Sequence, residues 1–277
     1  MNLYATIPEI AQMLSGRTRM QDDDRDLLER VHNAVCRKVD EHCNRQFYEE
    51  TATRHFDGQG GIAMWVPDLT AITALAFDED ADAVYEVELV EGTDFELIRY
   101  GHRFPYDTLP KTMIVLKPTS PTVSAFPLDA NSVEIEAVWG YPVTREILGC
   151  SVAADQDDSQ LTVTLDDARR VARGMSIEIG TEQQYVRDVN GQVATVARAQ
   201  NGTTIAEHLT DAAVSRLRHA DEAHTASLIQ TARLWTRRQS GFASDILLNP
   251  VSGAISLTRG LDADVIEILR ELRRLDG

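Results

Sequence analysis

The residues in this chain that could do chemistry are scattered rather than grouped. Asp155, Asp157, Asp158 and Asp166 fall in one acidic stretch and offer the oxygen donors a hard cation prefers. A calcium loop also needs glycine at its sharp turn, where Gln160 stands, and a closing bidentate glutamate, which is missing. Cys36 and Cys43 share a face if they lie on one helix, and with no CxxC or HxxxH partners they read as small buried hydrophobes rather than thiolate ligands. The 3 cysteines are too few for a disulfide framework and are expected to be reduced. His32, His42, His55, His102, His208, His219 and His224 sit in segments of different type, and each reads as a surface or packed residue before it reads as a base or a ligand. Trp139 and Trp235 could build a binding platform, although tryptophan at a strand end or in an amphipathic helix is usually core. No GxSxG, HExxH or P-loop is present. The chain therefore reads as a non-enzyme with no cofactor, no cofactor-binding residues and no metal ligands.

Composition bounds what else it could be. The chain has 277 residues, 43% of them hydrophobic, which suits one or two packed cores. Its formal charge of −17 opposes a phosphate-binding surface, because affinity for a polyanion comes mainly from Lys and Arg. The same charge suits a pore through which a duplex slides without sticking. No run approaches the ~20 apolar residues of a membrane span, and the N-terminus lacks a basic-then-apolar signal pattern, so synthesis and retention in the cytosol, with no membrane partner, are expected.

The elements that must position these residues follow from pattern. Thr6-Ile7-Pro8-Glu9 has the form of a capping box opening a helix, with Pro8 in the first turn and Gly16 closing it. Asp22-Asp23-Asp24 complements the positive end of a second helix, which carries Leu27, Leu28, Val31, Val35, Val39 and Cys43 at helical spacing and runs to about Phe47. From Thr53 the period becomes two, predicting strands near 53–56, 64–66, 72–77, 84–90, 95–98, 113–116 and 133–138, punctuated by Gly58, Gly60, Gly61, Gly92, Pro105 and Pro110. This order is an antiparallel meander, not a βαβ array.

The last of these strands stops at Gly140-Tyr141-Pro142, where a helix is due. A second β region intervenes, with strands near 161–165, 176–179, 184–188, 193–196 and 213–217, turned by Asn190-Gly191 and by Asn201-Gly202-Thr203-Thr204. So many short strands in so little chain predict a small barrel or sandwich. A helix then follows, with Ala226, Ile229, Ala232 or Arg233, and Trp235 or Thr236 on one side, ending in Arg237-Arg238-Gln239-Ser240-Gly241. Residues 252–257 are extended. In the last helix Asp262 caps, and Val265, Ile268, Leu269 and Leu272 fall at i, i+3, i+4 and i+7. Arg270, Arg273 and Arg274 at its end either complement the helix dipole or dock on a partner. The expected fold is α+β: a discontinuous helical and β core over 1–150 and 219–277, with a small all-β domain inserted at 151–218.

This order of capped short helix, long helix, β meander, Trp139-Gly140-Tyr141-Pro142, helix ending at Gly241 and Asp-capped terminal helix resembles the head-to-tail connector, or adaptor, proteins of tailed bacteriophages. The insert is similar to a small β module of phage virion proteins, through Ile177-Glu178-Ile179-Gly180-Thr181-Glu182, Val193-Ala194-Thr195-Val196-Ala197-Arg198, Asn201-Gly202-Thr203-Thr204 and Ala206-Glu207-His208. The resemblance implies a helical connector core and a homo-oligomeric ring, commonly of twelve copies, in the virion neck. That ring would join the portal protein to a stopper or tail-completion protein, with DNA passing through an acidic lumen without specific binding. It also implies that the terminal helix docks on the portal through Val265, Leu269 and Leu272, with Arg270, Arg273 and Arg274 meeting acidic groups. The alternatives are a head-completion stopper of the neck and a soluble α+β enzyme.

Overall fold

The computed structural model describes residues 1–15, 22–99, 109–237, 247–248, 255–256 and 260–274. The chain forms two compact units, Met1–Asn44 with Val143–Gly277, and Arg45–Pro142. The fold class is α+β, with antiparallel sheets, a closed six-stranded barrel and, among the described residues, four α-helices. Gly16, His102, Pro105 and the expected helix end at 238–241 lie outside the described residues.

In the first unit, α1 (Ile7–Ser15) opens on the capping box that its sequence predicts. The Thr6 N–H donates to Glu9 Oε2 at 2.6 Å, and the Glu9 N–H donates back to Thr6 Oγ1 at 3.4 Å. Helix α2 (Asp22–Cys43) buries Leu28, Val35, Cys36, Val39 and Cys43. It stops short of the expected Phe47 because Asn44 turns left-handed at φ 53°. Helix α3 (Asp221–Arg237) packs on α2, and α4 (Ala263–Leu269), followed by a 3₁₀ turn at Arg270–Leu272, packs on α3. The segments β13 (Leu247–Leu248) and β14 (Ile255–Ser256) pair antiparallel, the latter inside the expected extended piece.

The barrel belongs to the same unit. Its strands are β7 (Thr144–Ala154), β8 (Thr162–Leu165), β9 (Ser176–Ile179), β10 (Glu182–Asn190), β11 (Val193–Ala197) and β12 (Ala213–Arg218), closed in the order β10-β11-β8-β7-β12-β9. Val152, Val163, Leu165, Ile177, Val186 and Val214 fill it. Set beside the expected insert at 151–218, the barrel also takes in the first half of β7, a strand that the pattern reading missed. Its Asn-Gly turn differs from expectation as well. Asn190 is the last residue of β10, paired with Val193, and only Gly191 has positive φ (60°), so the two-residue turn is Gly191-Gln192.

The second unit is one antiparallel sheet. It contains β1 (Glu50–Phe56), β2 (Ala63–Phe77), β3 (Val87–Leu89), β4 (Phe95–Ile98), β5 (Lys111–Leu116) and β6 (Val133–Trp139), in the order β1-β6-β2-β5-β4 with β3 on β2. Strand β6 alternates as its sequence predicts: Val133, Ile135, Ala137 and Trp139 are buried, and Glu136 is exposed. The two runs expected at 64–66 and 72–77 are one strand, whose register shift between Trp65 and Leu69 accommodates Pro67. The Trp139 indole N–H donates to the Ala52 carbonyl at 2.7 Å. At Gly140, φ is 113° and an added Cβ would lie 2.0 Å from the Tyr48 carbonyl oxygen, so this turn admits only glycine.

Candidate functional site

The terminal helix turns its apolar stripe onto its own chain. Val265 and Leu269 are fully buried and Leu272 nearly so. Asp262 stands at the N-cap position but makes no cap bond there. Its carboxylate instead accepts from Arg233 Nη1 at 3.0 Å and Arg237 Nη2 at 3.2 Å, while its N–H donates to Gln230 Oε1 at 3.0 Å. Arg233 also holds Asp264 through both terminal nitrogens, at 2.6 and 2.5 Å, which brings that carboxyl down to about 2. Of the basic residues, Arg270 is exposed and pairs with Glu267 at 3.0 Å, and Arg273 is exposed. Arg274 is half-buried, its N–H donating to the Cys43 carbonyl at 2.8 Å. The six expected docking residues thus divide: three apolar ones inward, Arg270 and Arg273 outward, and Arg274 half-buried. Ile266, one turn before Arg270, is exposed and was missed because it lies off the apolar period.

A polar cleft of about 220 Å3 lies among the 3–9 segment, residues 174–176, the end of β12 and the start of α3. Glu9 is its most engaged group. Beyond the capping box it accepts from Arg216 Nη2 at 3.2 Å and faces His224 Nε2 at 3.6 Å. Burial would raise its pKa, but His224, Thr6 and Arg216 together hold it well below the usual carboxylate range. A carboxylate so stabilised makes a poor general base near neutral pH.

At one end of the barrel, Glu182, Arg198 and His208 converge, all buried. Arg198 donates from Nε to Glu182 Oε1 at 2.8 Å and from Nη2 to Oε2 at 2.6 Å. Its Nη1 reaches the carbonyls of Asp157 (2.6 Å) and Gln160 (3.1 Å), and Nη2 also donates to the Ala206 carbonyl. Glu182 further accepts from the Ala199 N–H at 3.0 Å and from His208 Nε2 at 2.8 Å. Burial works against its ionised form, yet Arg198, with Ala199, His208 and Ala206, outweighs it and sets the pKa to about 2. The residues that carry the resemblance in the β module are therefore a staple joining its loops. Reading them one segment at a time hid that they meet.

The carboxylates of the calcium-like run do not converge. Asp155 accepts from the Thr210 N–H and hydroxyl, Asp157 from Ser159 and Gln160, and Asp166 from the Ser151 N–H. Asp78, Asp80, Asp82 and Glu86 do bring carboxylate oxygens within 4.8 Å of one another. Their signal was the density of acids between Asp78 and Glu86, with Asp78, Asp80 and Asp82 at alternate positions. Asp78 already accepts the N–H groups of Asp80, Ala81 and Ala83.

Another cleft, of about 400 Å3, runs beside α2 and the barrel, where Glu29 accepts from the Tyr185 hydroxyl at 2.6 Å and from Arg173 Nε at 2.8 Å. Trp139 and Trp235 are both buried and belong to different units. The histidines are less scattered than their spacing suggested. His32, His219 and His224, from α2, the link before α3 and α3 itself, all meet the 4–9 segment. Comparison with family models, curated proteins and solved structures returns no match.

Proposed function

We propose that this chain is a structural protein of the tailed-phage neck, assembling into a ring that joins the portal to the next neck or tail component while DNA passes through an acidic lumen. The observation that carries this reading is the packing of α1 and α2, from the start of the sequence, with α3 and α4, from its end. Such packing is what a discontinuous helical connector core calls for. The polar clusters suit a structural role, since Glu182, Arg198, Asp262 and Arg233 spend their hydrogen bonds on their own chain.

Portal docking by the terminal helix then falls to its outward residues, Ile266, Arg270 and Arg273, because Val265, Leu269 and Leu272 are committed inside. The experiment is co-sedimentation and electron microscopy of the purified chain with its cognate portal ring. Wild-type protein is expected to cap the portal as a ring, and the Arg270→Glu, Arg273→Glu double variant to bind at least tenfold more weakly. Absence of wild-type binding overturns the neck reading. Equal binding by the double variant overturns only the docking surface.

A further inference from the structure

We infer that the segment 2–15 is a strap that acid releases from the helices and barrel, with the His32 imidazole as its latch. Residues 2–6 are buried, although they precede the first helix. They thread past Gly174, where an added Cβ would come within 3.2 Å of the Ile7 nitrogen, and the Ile7 N–H donates to the Arg173 carbonyl at 3.0 Å.

The state of the His32 ring follows from its neighbours. The Ala5 N–H donates to Nε2 at 3.1 Å, so Nε2 carries a lone pair. Nδ1 lies 2.7 Å from Thr231 Oγ1, whose hydroxyl proton is already donated to the Ser227 carbonyl at 2.7 Å, so Nδ1 is the protonated nitrogen. The ring is thus neutral, in the Nδ1–H form, and fully buried. A proton added to Nε2 would point at the Ala5 N–H and at Cys36 Sγ, 3.6 Å away, a weak acceptor that already takes the Tyr4 N–H at 3.5 Å. The bond to Thr231 would be unchanged. The damage therefore falls on the strap side of the ring, not on the contact between α2 and α3.

The surrounding groups offer little relief. Cys36 on α2, Glu9 from α1, His224 from α3 and His219 from the preceding link face the ring. Glu9 is the anion among them and is already held by Thr6, Arg216 and His224. The His219 ring lies 4.7 Å from the Tyr4 ring, tilted 55° to it. Burial, then His224, keeps His32 at about 3 in the folded chain, so below its ordinary value of 6.5 the open strap takes up a proton that the closed one refuses.

Amide hydrogen exchange on the full chain at pH 7.5, 6.0 and 5.0, corrected for intrinsic rates, tests this. Protection at Ala5, Ile7 and Ile10 is expected to fall about tenfold per pH unit below ~6.5, while β9 to β12 keep theirs. Strap protection that does not change with pH, or barrel protection lost in step with it, overturns the inference. The His32→Gln variant keeps an oxygen acceptor and removes the titration, so its strap should show no such slope. If that variant does not fold, nitrogen NMR of the wild-type ring at pH 7.5 decides, since a protonated Nε2 there also overturns the inference. The latch belongs to the helical and barrel unit alone, whatever that unit assembles with.

Discussion

Arg233 of α3 grips Asp264 of α4 with both terminal guanidinium nitrogens, at 2.6 and 2.5 Å, and shares Nη1 with Asp262 at 3.0 Å. The two acids are not equivalent. The Asp264 side chain is 57% exposed and that of Asp262 only 10%. Solvent screens the first pair, and Arg237 still reaches Asp262 at 3.2 Å without Arg233, so Arg233→Ala should lower the urea midpoint less than Asp262→Ala does. Asp262→Ala removes the buried acceptor that Arg233 and Arg237 share and should cost about 1–3 kcal/mol, with faster exchange across α4. Equal costs would mean that the exposed pair carries the helix.

Glu182→Gln keeps the shape of the barrel staple and removes its charge, leaving the buried Arg198 guanidinium uncompensated. The expected loss is about 3–5 kcal/mol, read from the urea midpoint. Replacing Glu182 and Arg198 together by Leu and Met should cost less than the sum of the single changes.

The same carboxylate sets a pH dependence. Its pKa is depressed from 4.5 to about 2, so its contribution is complete above pH 4.5 and is lost as pH falls through the folded value. Urea midpoints between pH 5 and pH 3 should fall more steeply for wild type than for Glu182→Gln. Parallel curves would assign the acid sensitivity elsewhere.

Gly140→Ala meets both a left-handed backbone and the Tyr48 carbonyl. A loss of about 3 kcal/mol or more, with a changed near-ultraviolet signal from Trp139, is expected. A variant as stable as wild type would mean that the turn relaxes freely.

Cys36, Cys43 and Cys150 are all buried, and burial raises the Cys36 thiol to about 12. Iodoacetamide at pH 8 should label none of them in the native chain and all 3 in guanidinium. Rapid native labelling of Cys36 would show that α2 opens readily.

Period and capping chemistry made much of this fold legible. The Thr6 and Glu9 box, the α2 face through Val35 and Val39, the alternation in β6 and the buried stripe of α4 all stand where their residues put them. What was not legible depends on contacts distant in sequence. Strand β7 was hidden because Gly149 and the exposed Ile147 break its alternation at a bulge opposite Val214. Asp262 has the right residue type for a cap, yet two arginines from another helix claim it. The meeting of His32, His219 and His224 leaves no mark in spacing, and neither does the union of Glu182, Arg198 and His208. Each depends on closure of the tertiary structure, not on any local period.

The two ends of the sheet unit are clasped side by side. The Tyr141 N–H donates to the Gln46 carbonyl at 2.9 Å, and Gln46 Nε2 donates to the Trp139 carbonyl at 3.2 Å. The chain therefore leaves this unit beside the point where it entered. Everything in Arg45–Pro142 is, to the remainder of the polypeptide, one long excursion with pinned ends. Lengthening, shortening or exchanging such an excursion adds little closure entropy, so it is a natural cassette for diversification and for grafting, while the helices and barrel keep their connection.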